Sequence, residues 1–214
     1  MFKNMIKKSI HKSQHCNRNW DLSKNIPQED VDVIVESATQ CPVKQNLNFY
    51  KTHVITNRDT IEKLHSHTGG ANVNGVPTTN PQTLANLVIA FTKDEPSMKR
   101  EWTFDEKGNK VSHNDDLNAQ CNEVDRTTSV GIALGYVNLT ATMLGYETGC
   151  CACFDTDKVN KVLEDSVGTG EQFETMLLMG IGYPDTTRSR LEHHQDSDVK
   201  FTSLKNKRVK VIHG

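Results

Sequence analysis

Apolar residues recur at helical spacing in IPQEDVDVIVESATQ, where Val31, Ile34, Val35 and Ala38 form one stripe and Pro27 sits where a first helical turn tolerates it. This pattern predicts a helix ending at CPVKQN, residues 41–46. The following run, NFYKTHVIT, has the β-branched and aromatic content of a strand. NRDTIEKLHSHT returns to a helical pattern, with Asn57 or Asp59 placed to cap it. TGGANVNGVPTTNPQ is dense in Gly, Asn, Thr and Pro and predicts an irregular loop, and LANLVIAFT predicts a second strand.

Residues 98–120 are strongly polar apart from two aromatics, which predicts a surface excursion, with a small hairpin turning at Gly108 and length enough for a lid. DRTTSVGIALGYVNLTATMLGYETG then predicts a long, mostly apolar helix. Its Gly131 and Gly135 fall four apart and mark a face for close backbone approach, in a core or a subunit interface. CCACF reads as a short strand, TDKVNKVLED as a helix with Thr156 at its cap, and ETMLLMGIGYP as a strand ending in a turn. The order of elements suits an α+β sandwich, read as one domain over residues 1–214.

Composition narrows the class. The chain has 214 residues, is 35% hydrophobic and contains no apolar run near the ~20 residues of a membrane span. The basic start MFKNMIKKSIHK lacks the continuous apolar segment of a secretory signal, so the expected location is cytoplasmic. A net charge of −2 gives no electrostatic reason to expect nucleic acid or an acidic membrane as partner. Six cysteines, Cys16, Cys41, Cys121, Cys150, Cys151 and Cys153, read as reduced thiols. A zinc site from CCAC with His193 and His194 is the sharper reading. The spacing is not C-x-x-C, however, and neighbouring strand residues point to opposite faces, which favours small packing residues and no metal.

In combination, A-x-x-CPVKQN before a strand, a central helix closing on LGYETGCC, GIGYP followed by RSR, and the N-terminal HCNRNW resemble the nitroreductase family of FMN-dependent oxidoreductases. The resemblance covers most of the chain. It implies a central, mainly antiparallel sheet flanked by helices, in an intertwined homodimer with FMN at its interface. The C-terminal stretch of about residues 199–214, with alternating Val209 and Val211, would then be an arm adding a strand to the partner's sheet, or a plain tail.

The same resemblance implies roles for named residues. Arg18, Arg188 and Arg190 would meet the FMN phosphate, because guanidinium binds such a group bidentately. His15 falls on the same basic lead-in. Gln14 stands where the family commonly has arginine, and Cys16 where it usually has serine. Asn46 would serve the pyrimidine edge of the ring, which needs a group that both donates and accepts. Pro42, Val43 and Lys44 would pass over the ring from the neighbouring subunit, with Val43 replacing the usual serine. Asn80 is a further candidate for the flavin edge. Cys151, Ala152 and Cys153 would lie beside N5 and act through their backbone and small volume. Without the resemblance, the arginines read as surface charges and CPVKQN as a helix stop.

The activity so implied takes hydride from NADH or NADPH and passes electrons to a nitro, quinone or similar small organic acceptor. The cofactor carries the chemistry, so no side-chain nucleophile or general acid is assigned; Lys44 or Arg190 would supply a cation near N1 and O2. Two alternatives stay open: a dedicated flavin reaction such as dehalogenation or oxidative chemistry, and a flavin-binding protein with little turnover.

Overall fold

The computed structural model describes residues 2–70, 72–73, 76–96, 102–112, 115–189, 191–193 and 210–212. Two helices lead in, α1 (Phe2–Ser13) and α2 (Gln28–Thr39), followed by β1 (Tyr50–Ile55) and α3 (Arg58–Ser66). Two short strands, β2 (Asn72–Val73) and β3 (Val76–Pro77), precede the long β4 (Leu87–Lys93). A hairpin of β5 (Trp102–Phe104) and β6 (Lys110–Ser112) leads to α4 (Asp115–Met143), β7 (Glu147–Cys151), α5 (Thr156–Val167) and β8 (Thr175–Gly182).

The main sheet has the order β1-β4-β8-β7, and every neighbouring pair is antiparallel. The continuous apolar run of β4 follows from burial on both faces. Leu87, Ile89 and Phe91 join Val31, Ile34, Val130 and Val137 from α2 and α4, whereas Val88 and Ala90 join Ile61, Leu64, Val159 and Leu163 from α3 and α5. The sheet therefore lies between two helix pairs. This is the α+β arrangement expected, with β1 and β7 at opposite edges.

Several local readings shift. FKNMIKKSIHKS forms α1, packed along α4, although no helix was expected there. The α4 helix begins at Asp115, so the end of the polar excursion is helical. The hairpin does turn at Gly108, whose φ of 79° favours glycine. The helix α3 is capped by Asn57, which accepts the Thr60 N–H at 2.9 Å. The α5 cap is Asp155 rather than Thr156: its carboxylate accepts the Lys158 N–H, and Thr156 is the first helical residue. Gly131 and Gly135 lie on an exposed face with open space around them, which excludes the core as the reason for their spacing. Arg190 and the arm over residues 199–209 and 213–214 lie outside the described residues.

Candidate functional site

The N-terminal segment reaches the far edge of the sheet through one backbone pairing. Cys16 and Thr148 form a parallel bridge, with Asn17 N–H donating to the Thr148 carbonyl at 2.8 Å. Gly149 makes the approach possible, since a Cβ there would sit 2.6 Å from the Asn17 carbonyl oxygen. A second tether comes from Trp20, which bridges Pro184 and donates its indole N–H to the Pro81 carbonyl at 2.9 Å.

These contacts place the first group of candidates together. Gln14, His15 and Cys16 line a cleft of about 110 Å3 with Thr148, Gly149 and Cys150. Arg18, whose Nη1 reaches the Cys16 carbonyl at 3.5 Å, lines a larger neighbouring cleft of about 810 Å3 with Asn80, Cys153, His67 and Lys158. That volume falls within the roughly 300–1,000 Å3 of small-molecule sites.

Asn80 is buried, and its amide donates to the Cys151 sulfur at 2.9 Å. Its backbone N–H is held by the Thr68 hydroxyl, and its carbonyl faces His65. Burial pushes the Cys151 thiol up to about 11, with the Cys153 backbone and Asn80 amide pulling the other way, so it stays protonated at neutral pH. Burial likewise lowers His65 to about 4. Beyond Cys151 the strand ends, leaving Ala152 and Cys153 exposed, and the Cys153 carbonyl accepts the Gly69 N–H at 2.8 Å.

Arg188 stands in the turn after β8, which Asn19 ties down by donating to the Ser189 and Glu192 carbonyls. The turn thus comes to the segment that carries Arg18.

The second group is placed elsewhere. Pro42, Lys44 and Asn46 are exposed, and Val43 is half-buried against the α2 and α4 core. Lys44 pairs with Asp125 on α4 at 4.0 Å. Gln45 and Asn46 take φ of 54° and 55°, a left-handed conformation that costs of order 1–3 kcal/mol for non-glycine residues and clusters at functional loops. This loop enters β1, while the cysteines stand at the end of β7, at opposite edges of the sheet.

Gln82, His67 and Lys158 were missing from the sequence reading. Gln82 hydrogen-bonds the Cys16 thiol, and its Oε1, like Thr79 Oγ1, is buried with no hydrogen-bond partner among the described residues. TTNPQ contains both polar groups, which was the available signal. Nothing in the spacing of His67 and Lys158 pointed to the cleft; the packing of α3 against α5 brings them there.

The nitroreductase family model matches residues 12–183. A provisionally named NAD(P)H nitroreductase of Staphylococcus epidermidis is 24% identical over 190 residues, covering 79% of this chain and 84% of its own. The nitroreductase family protein of Streptococcus pneumoniae TIGR4 shares the fold with a TM-score of 0.62 at 18% identity, over 100% of both chains. An FMN-dependent nitroreductase of Clostridium difficile R20291 matches with a TM-score of 0.56 at 16% identity, over 91% of this chain and 95% of its own. The match over residues 12–183 spans the segment with Cys16 and Arg18, the 42–46 loop and both edges of the sheet, and the chain belongs to the nitroreductase family.

Proposed function

We propose that this chain is an FMN-dependent oxidoreductase that takes hydride from NADH or NADPH and reduces a nitro, quinone or similar small organic acceptor. The observation that carries the reading is the convergence of Arg18, Asn80 and residues 151–153, from three separate parts of the sequence, on the 810 Å3 cleft and its wall. The names of the S. epidermidis and C. difficile relatives, with their nicotinamide and flavin, point the same way.

The residues fit the cofactor. A cleft of this size admits it, Arg18 offers a permanent cation to an anionic group, and Thr79 Oγ1 and Gln82 Oε1, which flank the lining residue Asn80 in the sequence, are buried without a hydrogen-bond partner among the described residues. Bound FMN would supply the hydride and electron transfer of the proposed reaction. Arg18, with Arg188 and Arg190, would hold the phosphate end, beside Gln14, His15 and Cys16. The backbone at Cys151, Ala152 and Cys153 would border the ring, and the narrow Gly149 crossing fixes that strand against the N-terminal segment.

The 42–46 loop leads into β1 and the cleft lies past the end of β7, at opposite edges of the sheet, which supports a site completed by a second chain. In the proposed homodimer the partner's loop completes the site, with the Asn46 amide meeting the pyrimidine edge and Lys44 bringing a cation. The purified protein should take up FMN stoichiometrically, and anaerobic NADH or NADPH should bleach its visible band. A protein that stays colourless after incubation with FMN contradicts the reading.

A further inference from the structure

The function proposed above uses neither the Cys16 nor the Cys150 thiol as a reacting group, yet the fold brings them together. The parallel bridge sets Cys16 opposite Thr148, so side chains 16, 148 and 150 lie on one face of the paired segments. The Cys16 thiol donates to the Asn17 carbonyl at 3.9 Å and faces the backbone of Cys150, and both cysteines line the same cleft of about 110 Å3. Both thiols are free; Cys150 is exposed and Cys16 half-buried. The neighbouring Cys151 faces away, is buried, and is engaged by the Asn80 amide and the Cys153 carbonyl. We propose that Cys16 and Cys150 form a dithiol modification site, which a small disulfide oxidises to a Cys16–Cys150 bridge at the edge of the cofactor cleft.

The chemistry balances as two thiol–disulfide exchanges. The Cys150 thiolate attacks one sulfur of a low-molecular-weight disulfide, forming a mixed disulfide and releasing one small thiol. The Cys16 thiolate then attacks the Cys150 sulfur, closing the protein bridge and releasing the second small thiol. Two electrons pass from the protein dithiol to the reagent, and the two protein protons leave with the released thiols. Burial raises both thiols above the ordinary cysteine range while the Arg18 guanidinium opposes it, so exchange is slow at neutral pH and faster in mild alkali. The bridge would tie the segment carrying Arg18 to β7. It needs no bound flavin, so the proposal stands or falls independently of the function above.

The test uses the full-length protein, treated with oxidised glutathione in mild alkali, then denatured, alkylated and mapped by mass spectrometry. Alkylatable thiols should fall from six to four, with the Cys16 peptide joined to the Cys150 peptide. Cys16→Ser should instead retain one glutathione on Cys150 and form no bridge. Cys121→Ser should still lose two thiols. If the wild type keeps all six thiols, accumulates glutathione on Cys150, or joins another pair, the proposal is overturned. The wild-type map decides alone if a variant does not fold.

Discussion

The side-chain amide of Asn80 donates to the Cys151 sulfur at 2.9 Å, joining the turn before β4 to the last residue of the edge strand β7. Both residues are buried. Asn80→Ala removes that donor and opens a small void, and we expect a loss of about 1–2 kcal/mol, read from the urea midpoint at unchanged slope. FMN affinity should fall as well, because Asn80 lines the larger cleft.

Gly149 is the narrowest crossing of the site. Gly149→Ala would push a methyl to 2.6 Å from the Asn17 carbonyl and 2.9 Å from the Gln82 Cβ. Backbone must move, at a cost of about 1–3 kcal/mol. The N-terminal segment should lift from β7, and amide exchange at Asn17 should accelerate.

The buried His65 sets an acid limit. Its pKa falls from 6.5 unfolded to about 4 folded, chiefly through burial, with His193 and Arg58 adding to the effect and the Asn80 carbonyl opposing it. Between those values the unfolded chain binds the proton and the folded chain does not. Stability is therefore full above pH 6.5 and declines as pH falls towards 4, by about 2–3 kcal/mol from this group. His65→Gln should flatten that part of a pH series of urea midpoints.

Arg126 of α4 is buried and donates to the Phe49 and Asp94 carbonyls and to Glu123 and Glu95. Arg126→Met takes the guanidinium from both carbonyls, although that of Phe49 keeps the Asp94 N–H at 3.0 Å. The two carboxylates are half or more exposed and can turn to water, so the expected loss is about 1–3 kcal/mol in chemical denaturation.

What the sequence disclosed follows from how much of each signal is local. The strands β4 and β8 were legible because burial on both faces leaves nearly unbroken apolar runs. The helix α1 was not, because FKNMIKKSIHKS is mostly polar and gains its partner only by packing on α4. The start of α4 escaped for a related reason: where its side chains are described before Asp125, they are exposed or half-buried and carry no apolar stripe.

At the candidate site, the order of Cys16, Arg18 and Cys151–Cys153 along the chain singles them out. Their meeting depends on the Cys16–Thr148 bridge, which no spacing encodes. In CPVKQN, Gln45 and Asn46 adopt left-handed backbone and Val43 packs the loop against the core, which suits a helix stop as well as a binding loop. That the loop and the cleft occupy opposite edges is a property of the strand order, and the proposed function invokes a second subunit on that ground.

A site shared between subunits is the central claim, and mixing two variants tests it most directly. Arg18→Ala and Asn46→Ala homodimers should each bind FMN weakly. Unfolded together and refolded as a random mixture, half the dimers are mixed, and each mixed dimer carries one site with both residues intact. Roughly a quarter of all sites should then regain FMN binding and bleaching by NAD(P)H. A mixture no better than its two parents would place Arg18 and Asn46 at one chain's own site, or at no common site, and would contradict the account.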